Sequence, residues 1–218
     1  MKKLIIWDFD GVISNTESLW ILSRMDLLNK HLNLNWDYLT AEKHLGGRSD
    51  KDKKQILRNL GISVDDFIWD EIKKLDLKKM EQGLTLTEGI ENIFKLTQFD
   101  QCIATGGIYE KTKIKIEKVG IKQYFSSNKI FTVDLVKRGK PEPDLFLLAA
   151  EKMGYKPHDC IVIEDSVVGI KAAIQAGMNP VAFVKYNTNE RIKEIKNMGL
   201  KNIFYDMKDI RNFLINIV

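Results

Sequence analysis

The 218-residue chain is short of several features that would narrow its function at once. Its two cysteines, Cys102 and Cys160, each open an apolar segment and share no metal-ligand spacing, so buried reduced thiols are expected rather than a disulfide framework or zinc site. The three histidines are scattered: His31 falls in a helical pattern and His158 in a loop, both reading as surface residues, while His44 sits near a glycine turn. No apolar run is long enough to span a membrane, and the N-terminal run stops after four residues, too short for a signal peptide; the expected compartment is the cytoplasm. Charge of one sign is also lacking. The net +4 comes from 34 basic against 30 acidic residues spread along the chain, and runs such as Lys51–Lys54 and Lys111–Lys118 read as solvated helix faces, so no nucleic-acid partner is expected. Absent too are a Gly-x-x-x-x-Gly-Lys-Ser/Thr loop for triphosphates, a Gly-x-Gly-x-x-Gly dinucleotide turn and a Gly-x-Ser-x-Gly elbow.

What is present is an ordinary globular composition, 44% hydrophobic and 29% charged with only four prolines, enough to build one large domain or a domain with an insertion. Leu4-Ile5-Ile6-Trp7 is a short apolar run of the kind a buried strand shows, ending abruptly in Asp8-Phe9-Asp10-Gly11. From Ser14 to about Gln82 the pattern is helical. Ile21, Met25, Leu28 and Leu32 share a face; Thr40–Leu45 and Asp50–Leu60 read as two further helices. Ser63 with Asp66 resembles a capping box, opening a helix whose apolar face includes Phe67, Ile72 and Leu75. After Gly83, strands and helices alternate. The strands are expected at Gln101–Thr105, Ile130–Val133, Cys160–Ile163, Pro180–Val184 and Ile203–Tyr205; Thr87 is expected to cap a helix carrying Ile90, Ile93 and Phe94. The expectation is an α/β fold, a doubly wound parallel sheet formed by residues 1–14 and 83–218, with a helical insertion at 15–82.

The carboxyl ends of the expected strands carry the chemistry. The first ends in Asp8 and Asp10, the second in Thr105-Gly106-Gly107, and a later one in Glu164-Asp165-Ser166; Lys140 precedes the helix that opens at Pro143. Ligands of open parallel sheets bind at that edge. A carboxylate cluster without histidine suits a hard cation, Mg²⁺ above all. A hydroxyl, glycine amides and a lysine suit phosphate oxygens. A carboxylate meeting a phosphate dianion is repelled by about 4 kcal/mol per pair of unit charges roughly 4 Å apart near a protein surface. A metal and a fixed ammonium offset that repulsion, so the inventory fits metal-assisted phosphoryl transfer, with Asp8 as nucleophile and Asp10 as acid and base.

In order and spacing, Asp8-Phe9-Asp10-Gly11-Val12, Thr105, Lys140 in Gly-Lys-Pro-Glu-Pro-Asp, and Glu164-Asp165 resemble the four motifs of the haloacid dehalogenase superfamily, and the similarity runs through Ile161–Met178. Helices inserted after the first strand resemble its helical-cap subgroup, which includes sugar-phosphate phosphatases and β-phosphoglucomutase. The resemblance implies a Rossmann-like core and a phosphorylated Asp8, with Asp10 as general acid/base. It implies Mg²⁺ held by Asp8, the Asp10 carbonyl, Asp165 and Glu164, and a phosphoryl group held by Thr105, Gly106 and Lys140. The cap turn Leu45–Asp50 resembles the subgroup's substrate-facing loop, which makes His44 and Arg48 candidate substrate contacts. Asn15 departs from the family's usual aspartate, and Thr105-Gly106-Gly107 from its usual serine-containing version. The expected activity is Mg²⁺-dependent hydrolysis of a small phosphorylated metabolite, a sugar or sugar-acid monophosphate, by a monomer. The alternative is a β-phosphoglucomutase-like phosphotransferase. A phospho-accepting signalling receiver fits less well, because such domains lack a helical insertion of this size.

Overall fold

The computed structural model describes residues 2–46, 50–82 and 84–217. The chain divides into two compact units, Met1–Asn15 with Thr85–Val218, and Thr16–Leu84.

In the first unit the strands are β1 (Lys3–Trp7), β2 (Phe99–Thr105), β3 (Ile130–Thr132), β4 (Cys160–Glu164), β5 (Asn179–Phe183) and β6 (Ile203–Phe204). Among the described residues they form one parallel sheet in the order β3-β2-β1-β4-β5-β6. β1 therefore lies centrally, with Trp7 opposite both Ile103 and Ile163. Its apolar run is continuous because helices cover both sides of the sheet. Ile5 and Trp7 pack on one side with Ile93, Phe94, Ile116, Ile210 and Leu214; Leu4 and Ile6 pack on the other with Leu145, Phe146, Ala149 and Ala172. The first group draws on the short helix α5 (Glu91–Phe94), α6 (Tyr109–Lys118) and α10 (Met207–Asn216). The second draws on α7 (Asp144–Met153) and α8 (Val167–Gln175), while α9 (Asn189–Asn197) adds Ile195 to a smaller cluster with Ile170, Ala182 and Val184. The polar edge of Trp7 is satisfied inside this core: its indole N–H donates to Gln101 Oε1 at 3.0 Å, and Gln101 donates on to the carbonyls of Ile93 and Phe94. Both cysteines are buried free thiols, and burial holds each thiol above its ordinary pKa, Cys160 at about 12.

The second unit is helical: α1 (Glu17–Leu32), α2 (Tyr38–Leu45), α3 (Asp50–Asn59) and α4 (Asp66–Gln82). Ile21 and Leu28 of α1 meet Ala41, Leu45, Leu57, Ile68, Trp69 and Ile72 in one core. Among the described residues no helix is long and apolar enough to cross a membrane.

Three local expectations are corrected. The cap of α4 is Asp65, whose carboxylate accepts the Ile68 N–H at 2.9 Å; the helix begins two residues later than a Ser63 cap would place it. Phe67 is exposed, and the core face of α4 begins with Ile68 and Trp69, which share it with Ile72 at helical spacing. Thr87 is buried, and its hydroxyl donates to the Val12 carbonyl at 2.7 Å instead of capping α5, which is left with a single turn. Because that bond is buried and joins residues 75 apart, Thr87→Val should lower the unfolding free energy by about 1–2 kcal/mol. The expected reading is a lower urea midpoint with an unchanged slope; an unchanged midpoint would show that the bond adds nothing.

Candidate active site

Asp8 directly follows β1, and its backbone N–H continues the ladder to the Ile163 carbonyl at 3.0 Å, so the side chain leaves the sheet at the carboxyl end of the central strand. Glu164 ends β4 and Asp165 follows it; Thr105 ends β2. The parallel topology thus brings the ends of three expected strands to one edge, beside the reversal of strand order next to β1 where ligands of such sheets bind.

Asp8, Glu164 and Asp165 are all buried and offer one oxygen each within 4.8 Å of one another. Lys140, on the segment before α7, is buried with them. Its ammonium lies 2.6 Å from Asp8 Oδ1 and 2.6 Å from Glu164 Oε1, and 4.8 Å from the Phe146 ring centroid. The other oxygen of Glu164 accepts from the backbone N–H and hydroxyl of Ser166, at 2.8 and 2.9 Å. Ser166 in turn caps α8 by accepting the Gly169 N–H. The glutamate lies so close over the first turn of α8 that a Cβ at Gly169 would collide with its carboxylate.

Charge decides what this cluster can hold. Three carboxylates face the Lys140 ammonium and, 3.8 Å from Asp165, the Arg191 guanidinium, which leaves one negative charge uncompensated in a water-poor site; one lysine shared between Asp8 and Glu164 cannot neutralise both. Burial pushes Asp8 up from 3.8 to about 7 against the pull of Lys140, with Glu164 and Asp10 adding like-charge repulsion. Burial would lower Lys140, but the Asp8 and Glu164 carboxylates outweigh it and hold the lysine above its ordinary value. A hard divalent cation fits an oxygen-only donor set with that deficit.

Asp10 sits in the tight turn after β1, where Ile13 and Ser14 donate back to the Phe9 carbonyl and Gly11 donates to Ser14. Gly11 has φ +90°, and a Cβ there would run into the Asp165 carboxylate, so this turn needs glycine on both counts. The Asp10 carboxylate is not part of the three-carboxylate cluster; it meets Lys115 of α6, whose ammonium lies 2.7 and 2.5 Å from its two oxygens. Lys115 is buried, which corrects the reading of Lys111–Lys118 as a solvated face throughout. Thr105 is buried and its hydroxyl accepts the Gly107 N–H at 3.3 Å, while Gly106 is exposed beside it. Asn187 and Arg191, which sequence reasoning passed over, both reach Asp165. Asn187 donates to its backbone carbonyl at 2.7 Å, and the Arg191 guanidinium lies 3.8 Å from its carboxylate. His44 belongs to the helical unit, where its ring lies 5.2 Å from that of Trp36. Arg48 lies outside the described residues.

The profile of the haloacid dehalogenase-like hydrolases matches residues 5–183, a span holding every one of the clustered carboxylates and both lysines. The chain belongs to that family. Its haloacid dehalogenase-like fold also matches a protein of unknown function from Agrobacterium tumefaciens C58, with a TM-score of 0.88 at 25% identity over 100% of this chain and 99% of that one. Over 81% of this chain and 94% of the relative, it is 28% identical to the fructose-1-phosphate phosphatase YqaB of Escherichia coli K12. A phosphorylated carbohydrates phosphatase of Thermotoga maritima is 23% identical over 86% of this chain and 88% of its own length. As a member of this family with such relatives, the chain is a phosphoric monoester hydrolase. Haloacid dehalogenase-like phosphatases generally use a divalent metal, and the buried acidic cluster is where the residues of this one fit it.

Two outcomes follow from the geometry. Gly11→Ala should displace Asp165 and weaken divalent-cation binding by roughly 10-fold or more in a calorimetric titration; an unchanged Kd would mean that the turn and the cluster are independent. In metal-free protein, the raised pKa of Asp8 makes its ionised form costly to fold. That penalty is absent below about pH 3.8 and complete above about pH 7. Asp8→Asn should therefore raise the melting temperature in EDTA at pH 8, with the gain shrinking toward pH 4; a lower melting temperature at pH 8 would contradict the charge balance.

Proposed function

We propose that this enzyme is a Mg²⁺-dependent phosphatase of small phosphorylated metabolites, a sugar or sugar-acid monophosphate, working through an aspartyl-phosphate at Asp8. The observation that carries the reading is the position of Asp8: buried at the end of the central strand, sharing the Lys140 ammonium with Glu164, within reach of Asp165.

In this reading an oxygen of Asp8 attacks phosphorus in line with the ester oxygen, and Asp10 gives its proton to that leaving oxygen. The alcohol departs and the phosphoryl group remains on Asp8. Asp10, now a carboxylate, takes a proton from a water that attacks phosphorus, and inorganic phosphate leaves with both aspartates restored. Lys140 and the hydroxyl and amides of Thr105 and Gly106 hold the phosphoryl oxygens, placed so that they meet charge as it spreads in the transition state. Asp8, Asp165 and the Asp10 carbonyl, with Glu164 beside them, would hold Mg²⁺. When bound, the ion supplies the charge neutralisation that lets an anionic nucleophile approach an anionic phosphate. The YqaB and Thermotoga relatives are named for phosphorylated carbohydrates, which supports that substrate class. His44 and Arg48 remain the proposed contacts to the rest of the substrate.

A panel of hexose, pentose and sugar-acid monophosphates, assayed for inorganic phosphate with Mg²⁺ and with EDTA, tests the reading. Phosphate release that needs Mg²⁺ and falls on the order of 10³-fold or more in Asp8→Asn is expected. Conversion of a sugar 1-phosphate to its 6-phosphate with no free phosphate would instead establish the mutase, and full turnover by Asp8→Asn would end the covalent mechanism.

A further inference from the structure

Lys115 takes no part in the proposed phosphoryl transfer, and its surroundings are unusual for a lysine. It lies on the second turn of α6 with its side chain 6% exposed, and lysines are almost never buried without a partner. The partner is Asp10, 105 residues away in sequence, and the ammonium engages both carboxylate oxygens, at 2.7 and 2.5 Å. The same ammonium lies 4.8 Å from the centroid of the Phe9 ring, which fixes it from another side. Gly107 lies alongside: an added Cβ there would be in ordinary contact with Lys115 Nζ at 3.7 Å and tight only against the Thr112 hydroxyl, at 3.1 Å. An exposed ion pair would contribute little. This lysine is buried, held by a ring face and directed at both oxygens of one carboxylate, which fixes where that carboxylate points.

We propose that Lys115 is a positioning residue for the proton transfers of Asp10: its ammonium, bound to both carboxylate oxygens, holds the Asp10 carboxyl in one orientation in the turn that follows the strand ending at Asp8. This inference rests on the reading of Asp10 as the proton carrier. A carboxyl free to rotate about its Cα–Cβ and Cβ–Cγ bonds would spend much of its time misdirected, and small misplacements of a catalytic group are costly in rate. Lys115 needs no contact with substrate to have this effect.

Leaving-group dependence separates positioning from mere support of the fold. An alkyl phosphate needs its leaving oxygen protonated, whereas p-nitrophenolate leaves without help, so loss of a general acid is felt by the first and hardly by the second. The quantity to measure is kcat/KM, which reports the steps up to phosphorylation of Asp8, for fructose 1-phosphate or the hexose monophosphate that turns over fastest, and for p-nitrophenyl phosphate. The ratio of the two is independent of the fraction of enzyme correctly folded. Asp10→Asn calibrates the scale. Lys115→Met is expected to lower kcat/KM roughly 30- to 100-fold on the sugar phosphate and less than about 3-fold on p-nitrophenyl phosphate. If the methionine variant does not accumulate, Lys115→Gln should show the same selectivity. Equal losses on both substrates, or none, in a lysine variant while Asp10→Asn is selective would overturn the role of Lys115 and leave Asp10 in place. A non-selective Asp10→Asn would overturn the reading of Asp10 and the inference with it.

Discussion

One ammonium shared between two buried carboxylates sets the terms for the rest of the site. Lys140 contacts Asp8 and Glu164 at 2.6 Å each, and Asp165 stands close by with a third negative charge. Removing these groups from water is expensive unless their charges are matched, and the protein alone matches them only in part. The shortfall has two consequences that pull together. It favours a divalent cation, and it makes the metal-free site a place where the Asp8 carboxylate is held at a cost in stability. Active sites commonly carry such costs, and the surrounding fold here is built to withstand one: the core strands are buried on both faces, and Trp7, immediately before Asp8, is packed against Phe94 and hydrogen-bonded to Gln101.

Around that ammonium, ordinary local devices bring the charges close. A left-handed glycine at position 11 lets the chain turn under Asp165. A glycine at 169 lets Glu164 lie over the first turn of α8, and Ser166 joins the two by accepting from the helix and donating to the glutamate. Each device is a few residues long, yet together they bring Asp8 and Glu164, 156 residues apart in sequence, into one cluster. The parallel topology performs the long-range part, because every strand delivers its carboxyl end to the same edge.

Much of this was legible in the sequence. Short apolar runs separated by amphipathic stretches located the six strands to within two residues, because burial on both faces of the central strands leaves an almost uninterrupted apolar signature. The clustered residues Asp8, Lys140, Glu164 and Asp165 could be named because strand ends are where charge abruptly replaces apolarity, and because their order matches a known set of motifs. What was not legible depended on contacts between distant segments. Ser63 has the residue type and spacing of a helix cap, but the cap hydrogen bond is made by Asp65, two residues on, where Ile68 and Trp69 enter the core. Thr87 has the residue type of a cap, but its hydroxyl is claimed by Val12. Lys115 sits in a run that looks solvated, and nothing local distinguishes it from Lys111 or Lys113; only the fold reveals that its face of α6 turns toward Asp10. Charge is read poorly from pattern because a lysine's destination is set by its partner, which for Lys115 lies 105 residues away.

The central claim is that Asp8 accepts the phosphoryl group, and it can be tested on the residue itself. Enzyme mixed with saturating substrate and Mg²⁺, acid-quenched within a turnover and reduced with borohydride, converts an aspartyl-phosphate to homoserine, which peptide mass spectrometry locates. The account predicts homoserine at position 8 and at no other aspartate. Turnover at full rate with position 8 unmodified, or with the label on Asp10 or Asp165, would contradict it.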